Sequence, residues 1–337
     1  MVTLAVKAYN QEETVSAAVE AALTQTYSPL EVLLSDDCSD DATFSIMQEM
    51  AEGYRGPHTV TLNRNQRNLG IVGHMNRAAE LASGRLIVEG AGDDISEPER
   101  VERLASAWMP GRIKAVHSAF HEMDSNGRVL ARAAPDRRII DAPGPDPLTL
   151  VTSKANCLGA TAAWDRELFD RFGPIPEDCG VEDGVLFFRA ALLDGIAFVD
   201  EPLLRYRIGG LSWRTARSPG HNYLYGDRIQ SLRWGLSNAR AFLQDLVSVD
   251  VPQKAACAEI CQEVIDRHEF EVRLAEQGPV TRMAAVPAAA VRSVAERDGF
   301  FLRQSLKHAL GDLYVAYYNR YVETPDTRDL PLDLVRS

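Results

Sequence analysis

The sequence predicts an α/β fold, in which a mostly parallel β-sheet is flanked by helices and followed by a helical C-terminal extension. In the N-terminal part, four short apolar runs alternate with amphipathic segments of helical period, the order that builds a parallel sheet with helices on its faces. From about residue 218, apolar residues recur at helical spacing in 222–247, 254–275 and 301–322. Acidic pairs end two of the predicted strands, at the edge where sheets of this class bind ligands.

The first four strands are predicted from short apolar runs, and continuous runs of this kind are typical of strands buried on both faces. They are Val2–Ala8, "LEVLLSDD", "HTVTLN" and "RLIVEG". The helices between them are "NQEETVSAAVEAALTQ", "DATFSIMQEMAEGY" and "IVGHMNRAAELASG". Asn10 and Glu13 have the spacing of a capping box for the first helix, and Gly84 predicts the end of the third.

The pattern changes after residue 110 and again near residue 215, which predicts three segments. Residues 1–110 hold the alternating strands and helices. Residues 111–215 add further strands, including one folded over the hairpin signal Asn126-Gly127. Residues 216–337 form the helical extension, whose amphipathic stretches pack by default on the chain's own domain. A homodimer interface, a cover over the site and a docking surface for a partner are the alternatives for this extension.

Composition and charge exclude several classes of function. The formal net charge of −12 and the absence of a basic cluster argue against nucleic acid as a partner. No run approaches ~18 consecutive apolar residues, so no integral membrane segment is predicted. The N-terminus "MVTLAVKAYNQEE" reads as a strand and not as a signal peptide. These features, with five scattered cysteines, predict a cytoplasmic protein, with peripheral attachment at the inner membrane face as an option.

Three acidic pairs are the candidate functional residues: Asp36-Asp37, Asp93-Asp94 and Glu182-Asp183. Carboxylates are ligands that Mg²⁺ and Mn²⁺ prefer, and two adjacent like charges at a strand end are costly without a counter-ion. A further carboxylate in the same crevice can take a proton from an attacking hydroxyl. Each pair also has a structural alternative, as turn residues, helix caps or acids that favour a helix dipole.

The order and spacing of these motifs resemble the family 2 glycosyltransferases, which are inverting enzymes with a GT-A fold. The resemblance runs through "VKAYNQEETVSAAVEAALTQTYSPLEVLLSDDCSDDAT", "NLGIVGHMNRAAELASGRLIVEGAGDDISEPERV" and "EDGVLFFRAALLDGIAFVDEPLLRYR". It covers roughly the first 210 residues. It implies that residues 1–110 bind a nucleotide sugar and that 111–215 bind the acceptor.

The resemblance also implies roles for individual residues on the donor side. Asp37 corresponds to the family residue that contacts the base of the donor nucleotide. Asp93 corresponds to the residue that approaches the ribose and diphosphate. The remaining donor-site residues are the segment lining the base and the family's N-x-G loop, which correspond to Ala8, Tyr9, Asn10, Asn68 and Gly70. Gly70 has the alternative of serving only as a turn before a helix.

For metal binding and catalysis, the family's Asp-x-Asp motif falls on "AGDD", where Ala91 replaces the usual first acid. Asp94 and Asp93 would then bind Mn²⁺ or Mg²⁺, and His221 is a candidate additional ligand. Asp183 corresponds to the general base of the family's Glu-Asp motif, and Glu182 would orient the acceptor or the base.

The implied activity is transfer of a sugar from a nucleoside-diphosphate sugar, first of all a UDP-sugar, to an acceptor hydroxyl by metal-assisted single displacement. The acceptor could be a glycan, a lipid-linked glycan or a protein. One alternative is a glycosyltransferase-like module that binds a nucleotide sugar without turnover, which Ala91 keeps open. A sugar-phosphate nucleotidyltransferase is the other, although "KAYNQEET" lacks the glycine-rich basic loop that it would favour.

Overall fold

The computed structural model describes residues 1–133, 146–153, 157–193, 195–208, 228–277, 279–296 and 298–309. The chain divides into two compact units. The first contains Met1–Thr215 and Ser237–Gln262, and the second contains Ala216–Leu236 and Glu263–Ser337. The predicted functional segments, with boundaries at residues 110 and 215, stay a prediction.

The described strands are β1 Val2–Ala8, β2 Leu30–Asp36, β3 Thr59–Arg64, β4 Leu86–Ala91, β5 Ile95–Ser96, β6 Ala115–Met123, β7 Val129–Ala133, β8 Ala162–Asp165 and β9 Ile196–Arg207. The described helices are α1 Val15–Leu23, α2 Thr43–Gly53, α3 Gly70–Leu81, α4 Arg100–Ala107, α5 Pro147–Ser153, α6 Glu167–Phe172, α7 Asp183–Leu192, α8 Arg228–Val247, α9 Lys254–Glu276, α10 Pro279–Ala295 and α11 Phe300–Ala309. A 3₁₀ turn, Gly159–Thr161, precedes β8.

The described strands form one sheet in the order β3-β2-β1-β4-β8-β6-β9-β5, and β7 pairs with β6. The pairs β2–β3, β1–β2 and β1–β4 are parallel, so the predicted βαβ alternation is confirmed. β8 enters antiparallel between β4 and β6, and the hairpin over Asn126-Gly127 joins β6 to β7. The carboxyl ends of β1, β2 and β4 therefore lie at one edge, together with the 3₁₀ turn that leads into β8.

Side chains of the central strands alternate between two apolar layers. On β1, Leu4 and Val6 belong to the core packed against α1 and α4, while Ala5 belongs to the core that contains residues of α3 and α7. Lys7 follows the parity of Ala5, so its side chain enters the layer of α3 and α7, where its Nζ lies 3.4 Å from the Met75 sulfur. A charged residue therefore lies within an otherwise apolar layer.

Two predictions about helix ends are wrong. α1 begins at Val15 with Thr14 at its N-cap, so Asn10 is too far from the helix to cap it. The Asn10 Oδ1 instead accepts a hydrogen bond from the Asp40 amide at 2.9 Å. α3 ends at Leu81, and the role of Gly84 is close approach of strands, because a Cβ there would lie 2.5 Å from the Thr3 amide nitrogen.

The predicted C-terminal helical extension corresponds to α8–α11 in the described part of the chain. Within the first unit, Arg189 of α7 pairs with Asp245 of α8 at 2.8 Å, and both side chains are buried. Within the second unit, the rings of Phe270 and Phe301 meet edge to face at 4.9 Å. Of the helices that the structure describes, none is long and apolar enough to cross a membrane.

Candidate active site at the carboxyl edge of the sheet

Asp37, directly after β2, connects the ends of neighbouring strands to the start of α3. Its amide donates to the Ala8 carbonyl at the end of β1, at 2.9 Å. Its Oδ1 accepts hydrogen bonds from the Asn65 side chain at 2.8 Å and the Leu69 amide at 2.9 Å, and its Oδ2 accepts one from the Gly70 amide at 3.0 Å. The Asp37 carboxylate therefore fixes the loop before α3 through hydrogen bonds, and Asp37 itself lies at the predicted donor edge.

The loop at Asn68–Gly70 has a clear structural reason for its sequence. Gly70 has φ of +70°, a conformation that glycine adopts without the strain a Cβ would bring. The Asn68 Oδ1 accepts a hydrogen bond from the Gly70 amide at 2.8 Å. Gly70 therefore forms the turn before α3, which was the structural alternative for this residue. A contact with the donor would be a second role.

The segment after β1 is unusual in its backbone. Asn10 has φ of +50° and Cys38, after the neighbouring β2, has φ of +64°. Non-glycine residues in this region are uncommon and concentrate at functional sites. The Asn10 amide donates to the Ser39 hydroxyl at 2.9 Å, and the Tyr9 amide donates to the Gln11 side chain at 3.3 Å. These bonds hold the two strand ends in register at the predicted nucleotide site.

Of the two acids after β4, Asp94 is buried and Asp93 is half-buried, and one oxygen of Asp94 is unpaired. The Asp94 Oδ1 accepts a hydrogen bond from the Arg207 amide at 2.8 Å, while Oδ2 is buried and has no hydrogen-bond partner among the described residues. Burial and the neighbouring Asp93 raise the pKa of Asp94 well above its usual value. Burial likewise raises the pKa of Asp93. A cation at this position would stabilise both carboxylates in their ionised forms.

These residues fit a divalent cation of the Mg²⁺ or Mn²⁺ type. The described residues contain no group of three or more His, Cys, Asp or Glu that could hold a metal ion, and His221 lies outside them. Mg²⁺ is commonly bound by one or two carboxylates together with substrate phosphates and water. Asp93 and Asp94, whose Oδ2 has no hydrogen-bond partner among the described residues, therefore suffice for such a site. Ala91 offers no ligand atom of its own side chain.

Glu182 and Asp183 lie at the start of α7 and differ in exposure. Asp183 is half-buried and is the first residue of the helix, whereas Glu182 is buried. The Asp183 Oδ2 accepts a hydrogen bond from the Gly159 amide at 3.3 Å. A Cβ on Gly159 would lie 3.1 Å from the Asp183 Cβ and 3.7 Å from the Glu89 Oε1. Asp183 is therefore packed against the turn that leads into β8, next to β4.

Sequence reasoning missed a buried ionic cluster beneath this edge, formed by Lys7, Glu89, Glu182 and Trp164. The Lys7 ammonium donates to the Glu89 Oε2 at 3.0 Å and to the Glu182 Oε1 at 3.1 Å. The Trp164 indole donates to the other oxygen of Glu89. The signal was available, because Lys7 and Glu89 each interrupt an apolar strand, and charged residues are almost never fully buried unless paired.

Burial and neighbouring charges shift the pKa values of this cluster. Burial opposes the charge on Lys7, but Glu182 and Glu89 more than offset it and raise the pKa of Lys7 above its usual value. Burial raises the pKa of Glu182 to about 7, against the opposing effect of Lys7 and with the help of Glu89 and Asp183. Burial and then Lys7 lower the pKa of His74 to about 4, so His74 is neutral at pH 7.

Other sequence features lie away from this edge or outside the described residues. His74 is a core residue whose Nε2 lies 2.8 Å from the Ser35 hydroxyl. Trp213, an aromatic residue in the predicted acceptor segment 111–215, lies outside the described part of the chain. A surface cavity of about 370 Å³ lies at the opposite edge, near the start of β4, and is lined by Ser83, Arg85, Asp165, Arg166, Glu167 and Asp170. Arg85 in this cavity pairs with Asp165 at 3.5 Å, and none of the acids predicted as functional residues lines the cavity.

Comparison with known proteins shows which family and which fold the chain resembles. Residues 3–169 match the family model described as "Glycosyl transferase family 2". An uncharacterized glycosyltransferase of Nostoc is 24% identical over 62% of this chain and 65% of its own length. A UDP-Glc:alpha-D-GlcNAc-diphosphoundecaprenol beta-1,3-glucosyltransferase of Escherichia coli, WfgD, is 29% identical over 41% of this chain and 52% of its own. The chain thus spans between about half and two thirds of these two relatives.

Solved structures extend the likeness over nearly the whole chain. S. aureus TarS 1-349 in complex with UDP-GlcNAc aligns over 95% of this chain and 91% of its own, with a TM-score of 0.59 at 17% identity. A mannosyltransferase from Pyrobaculum calidifontis, in complex with GDP-Man and Mn²⁺, aligns over 96% and 87% with a TM-score of 0.51 at 16% identity. These likenesses confirm the predicted fold. Residues 3–169 therefore belong to glycosyl transferase family 2, and the chain has a GT-A fold.

Proposed function

We propose that this protein is an inverting glycosyltransferase that moves a sugar from a nucleoside-diphosphate sugar to an acceptor hydroxyl. The observation that carries the proposal is the half-buried Asp183, held by the Gly159 amide at the start of α7. It lies at the same edge of the sheet as the half-buried Asp93 and the buried Asp94 after β4. Membership of the family supports transfer as the reaction, and the disposition of the acids supports its mechanism.

The proposed reaction is a single displacement. Asp183 accepts the proton of the acceptor hydroxyl as that oxygen forms a bond to the anomeric carbon. The bond between the anomeric carbon and the diphosphate oxygen breaks, and the nucleoside diphosphate leaves with its electron pair. Attack from the face opposite the leaving group inverts the anomeric configuration. Glu182 lies below the reacting groups, where its Oε1 accepts a hydrogen bond from the Lys7 ammonium.

On the donor side, we assign the base to the segment Ala8–Asn10 and to Asp37, and the ribose and diphosphate to Asp93. Asn68 and Gly70 would border the same pocket. Asp94, with Asp93, would hold Mn²⁺ or Mg²⁺, and His221 is a further candidate ligand. When bound, the cation would neutralise charge that develops on the leaving diphosphate.

UDP-sugars are the first donors to test. The E. coli relative is named for UDP-Glc and the TarS structure contains UDP-GlcNAc, whereas the P. calidifontis enzyme contains GDP-Man. Residues 111–215 would bind the acceptor, which is a glycan, a lipid-linked glycan or a protein. For the helices of 216–337, packing on the chain's own domain stays the first proposal, and a homodimer interface stays the alternative. A cytoplasmic location, with peripheral attachment to the membrane, remains part of the proposal.

Calorimetric titration with UDP, GDP, dTDP and CMP, each with Mn²⁺ and then with EDTA, tests the donor assignment. We expect metal-dependent binding of one nucleoside diphosphate, and release of that diphosphate from the matching sugar nucleotide. D183N should bind the nucleotide as the wild type does and lose turnover. Binding without release in the wild type would favour the non-catalytic module that Ala91 keeps open, and no binding of any nucleotide would contradict the proposal.

A further inference from the structure

The Lys7 ammonium lies at the centre of the buried cluster beneath the candidate base. Its polar contacts are the Glu89 and Glu182 carboxylates, at 3.0 and 3.1 Å, and the Met75 sulfur at 3.4 Å. Side-chain exposure is 12% for Lys7, 4% for Glu89 and 10% for Glu182. The cluster joins β1, β4 and the N-cap of α7, which are distant in sequence.

Stability alone is a weak reason for such a cluster. Replacing a buried ion pair by apolar residues of similar volume is often neutral or stabilising, and the neighbouring positions Ala5 and Ile87 in the same layer are apolar. Lys7 and Glu89 are diagonal neighbours on the same face of adjacent strands, because Lys7 is paired with Ala91 and Glu89 is paired with Ala5. The two charges are therefore placed together by the sheet register, at the end nearest the candidate site.

The cluster is connected to Asp183 through the first turn of α7. Glu182 is the N-cap residue and Asp183 is the next residue, so the direction of the Asp183 side chain follows from the backbone that Glu182 anchors. On its other side, Asp183 is packed against Gly159, where even a methyl group would come within 3.1 Å of the Asp183 Cβ. Release of Glu182 from Lys7 would loosen one of these two constraints.

We propose that Lys7 and Glu89 are positioning residues that hold Glu182, and through it the proposed base Asp183, in the geometry for transfer. Lys7 supplies the cation that both carboxylates contact, at 3.0 Å for Glu89 and 3.1 Å for Glu182. The Trp164 indole fixes Glu89 by a hydrogen bond. Glu89 in turn keeps the Lys7 ammonium between the two carboxylates, so that Lys7 does not shift to Glu182. This inference rests on the proposed function.

The charged and titratable groups that face Glu182 come from each element packed around it. They are Lys7 of β1, Glu89 of β4, Asp183 of its own helix, Cys157 before β8 and, through Lys7, His74 of α3. His74 is neutral near pH 7, and burial raises the pKa of the Cys157 thiol. Lys7 is thus the cation that balances Glu89 and Glu182, and its removal must favour protonation of one of them.

The first readout is UDP release from UDP-glucose and UDP-GlcNAc with Mn²⁺, with water as the acceptor of the sugar, followed as kcat/KM against pH. K7M removes the cation beside Glu182, which raises the pKa of that carboxyl. We therefore expect K7M to shift the acid limb of the profile by about one pH unit to higher pH. E89Q, which keeps Lys7 and removes one like charge, should shift the limb to lower pH. The double variant K7M/E89Q should return toward the wild-type profile, and K7R should stay close to it. KM for the donor should change little in all of them.

Lys114 provides a matched control. It is a buried lysine that pairs with Glu167, and it precedes β6 at the opposite edge of the sheet. K114M should lower stability without moving the pH profile. A K7M profile that coincides with that of the wild type, or a K7M/E89Q profile that coincides with that of K7M, would overturn the proposal. If K7M does not fold, E89Q tests the proposal instead. The acid limb of its profile should lie at lower pH than that of the wild type, and an unchanged limb would overturn the proposal.

A second readout separates this proposal from the proposed function. The Glu182 resonance in protein with ¹³C-carboxyl-labelled glutamate is identified by its loss in E182Q, and its titration is followed without any substrate. The midpoint should rise in K7M and fall in E89Q. A wild-type protein that releases no UDP contradicts the transferase reaction and with it the positioning role, while the titration still reports whether Lys7 controls Glu182. Midpoints that are equal in wild type and K7M contradict that control even in an active enzyme.

Discussion

The raised pKa of Glu182 predicts how the stability of the protein depends on pH. Burial raises this pKa from 4.5 to about 7 in the folded chain. An acid with a raised folded-state pKa contributes stability that is fully present below its unfolded pKa. That contribution is lost as the pH rises through the folded pKa, since ionisation then favours the unfolded chain. The expected window for Glu182 therefore begins near pH 4.5 and ends somewhat above pH 7.

The magnitude follows from linkage. With these two pKa values, the contribution of Glu182 to the free energy of unfolding falls by about 2 kcal/mol between about pH 5.5 and pH 8.5. E182Q keeps the shape of the side chain and removes the titration. The difference in unfolding free energy between E182Q and wild type should therefore increase in favour of E182Q by about 2 kcal/mol over that range.

Urea unfolding at several pH values, followed by tryptophan fluorescence, measures this difference. Trp164 reports on the relevant layer because its indole contacts Glu89. K114M again serves as the control, since its partner Glu167 lies outside the cluster. A constant difference between E182Q and wild type across the range would refute the reasoning, because it would mean that Glu182 titrates near its usual pKa.

Three further predictions follow from contacts in the described residues. D94A should abolish Mn²⁺-dependent nucleotide binding without unfolding the protein, because it removes a buried acid with an unpaired oxygen and loses one hydrogen bond, from the Arg207 amide; unchanged binding in calorimetry would remove Asp94 from the metal site. G159A should lower kcat by roughly 10- to 100-fold with little change in donor KM, because its Cβ would displace Asp183. R189M should cost about 3–5 kcal/mol in urea unfolding, because it leaves Asp245 buried without its cation, and a loss below 1 kcal/mol would contradict this.

The N-terminal half of the fold was predictable because its signals are local. The runs at β1, β2 and β4 each fill a strand that is buried on both faces, and the amphipathic segments between them leave only a parallel sheet as the arrangement. The insertion of β8 between β4 and β6 was not predictable in the same way. It is a four-residue strand, Ala162–Asp165, and its neighbours are set by packing over long sequence distances.

The candidate site was predictable as a set of acids and not as a set of contacts. The position of Asp93 and Asp94 at a strand end follows from the apolar run before them. The hydrogen bonds of Asp37 to the loop before α3, and the failure of Asn10 to cap α1, depend on how the strand ends meet in space. Lys7 is the clearest case, because its partner Glu182 is 175 positions away in the chain. A single sequence gives no register for such a pair.

Charge at the carboxyl edge connects the proposed metal to the proposed donor. The chain carries a net charge of −12. Of the acids after β4, Asp93 is half-buried and Asp94 is buried with one orphaned oxygen. A nucleoside diphosphate would meet repulsion there, and Lys7, the cation between Glu89 and Glu182, is already engaged by both. Donor binding should therefore need a divalent cation more strongly than it would in a basic pocket. Because Ala91 removes one carboxylate from the motif, that cation should be held largely by the diphosphate itself, so metal and nucleotide should bind together and each poorly alone.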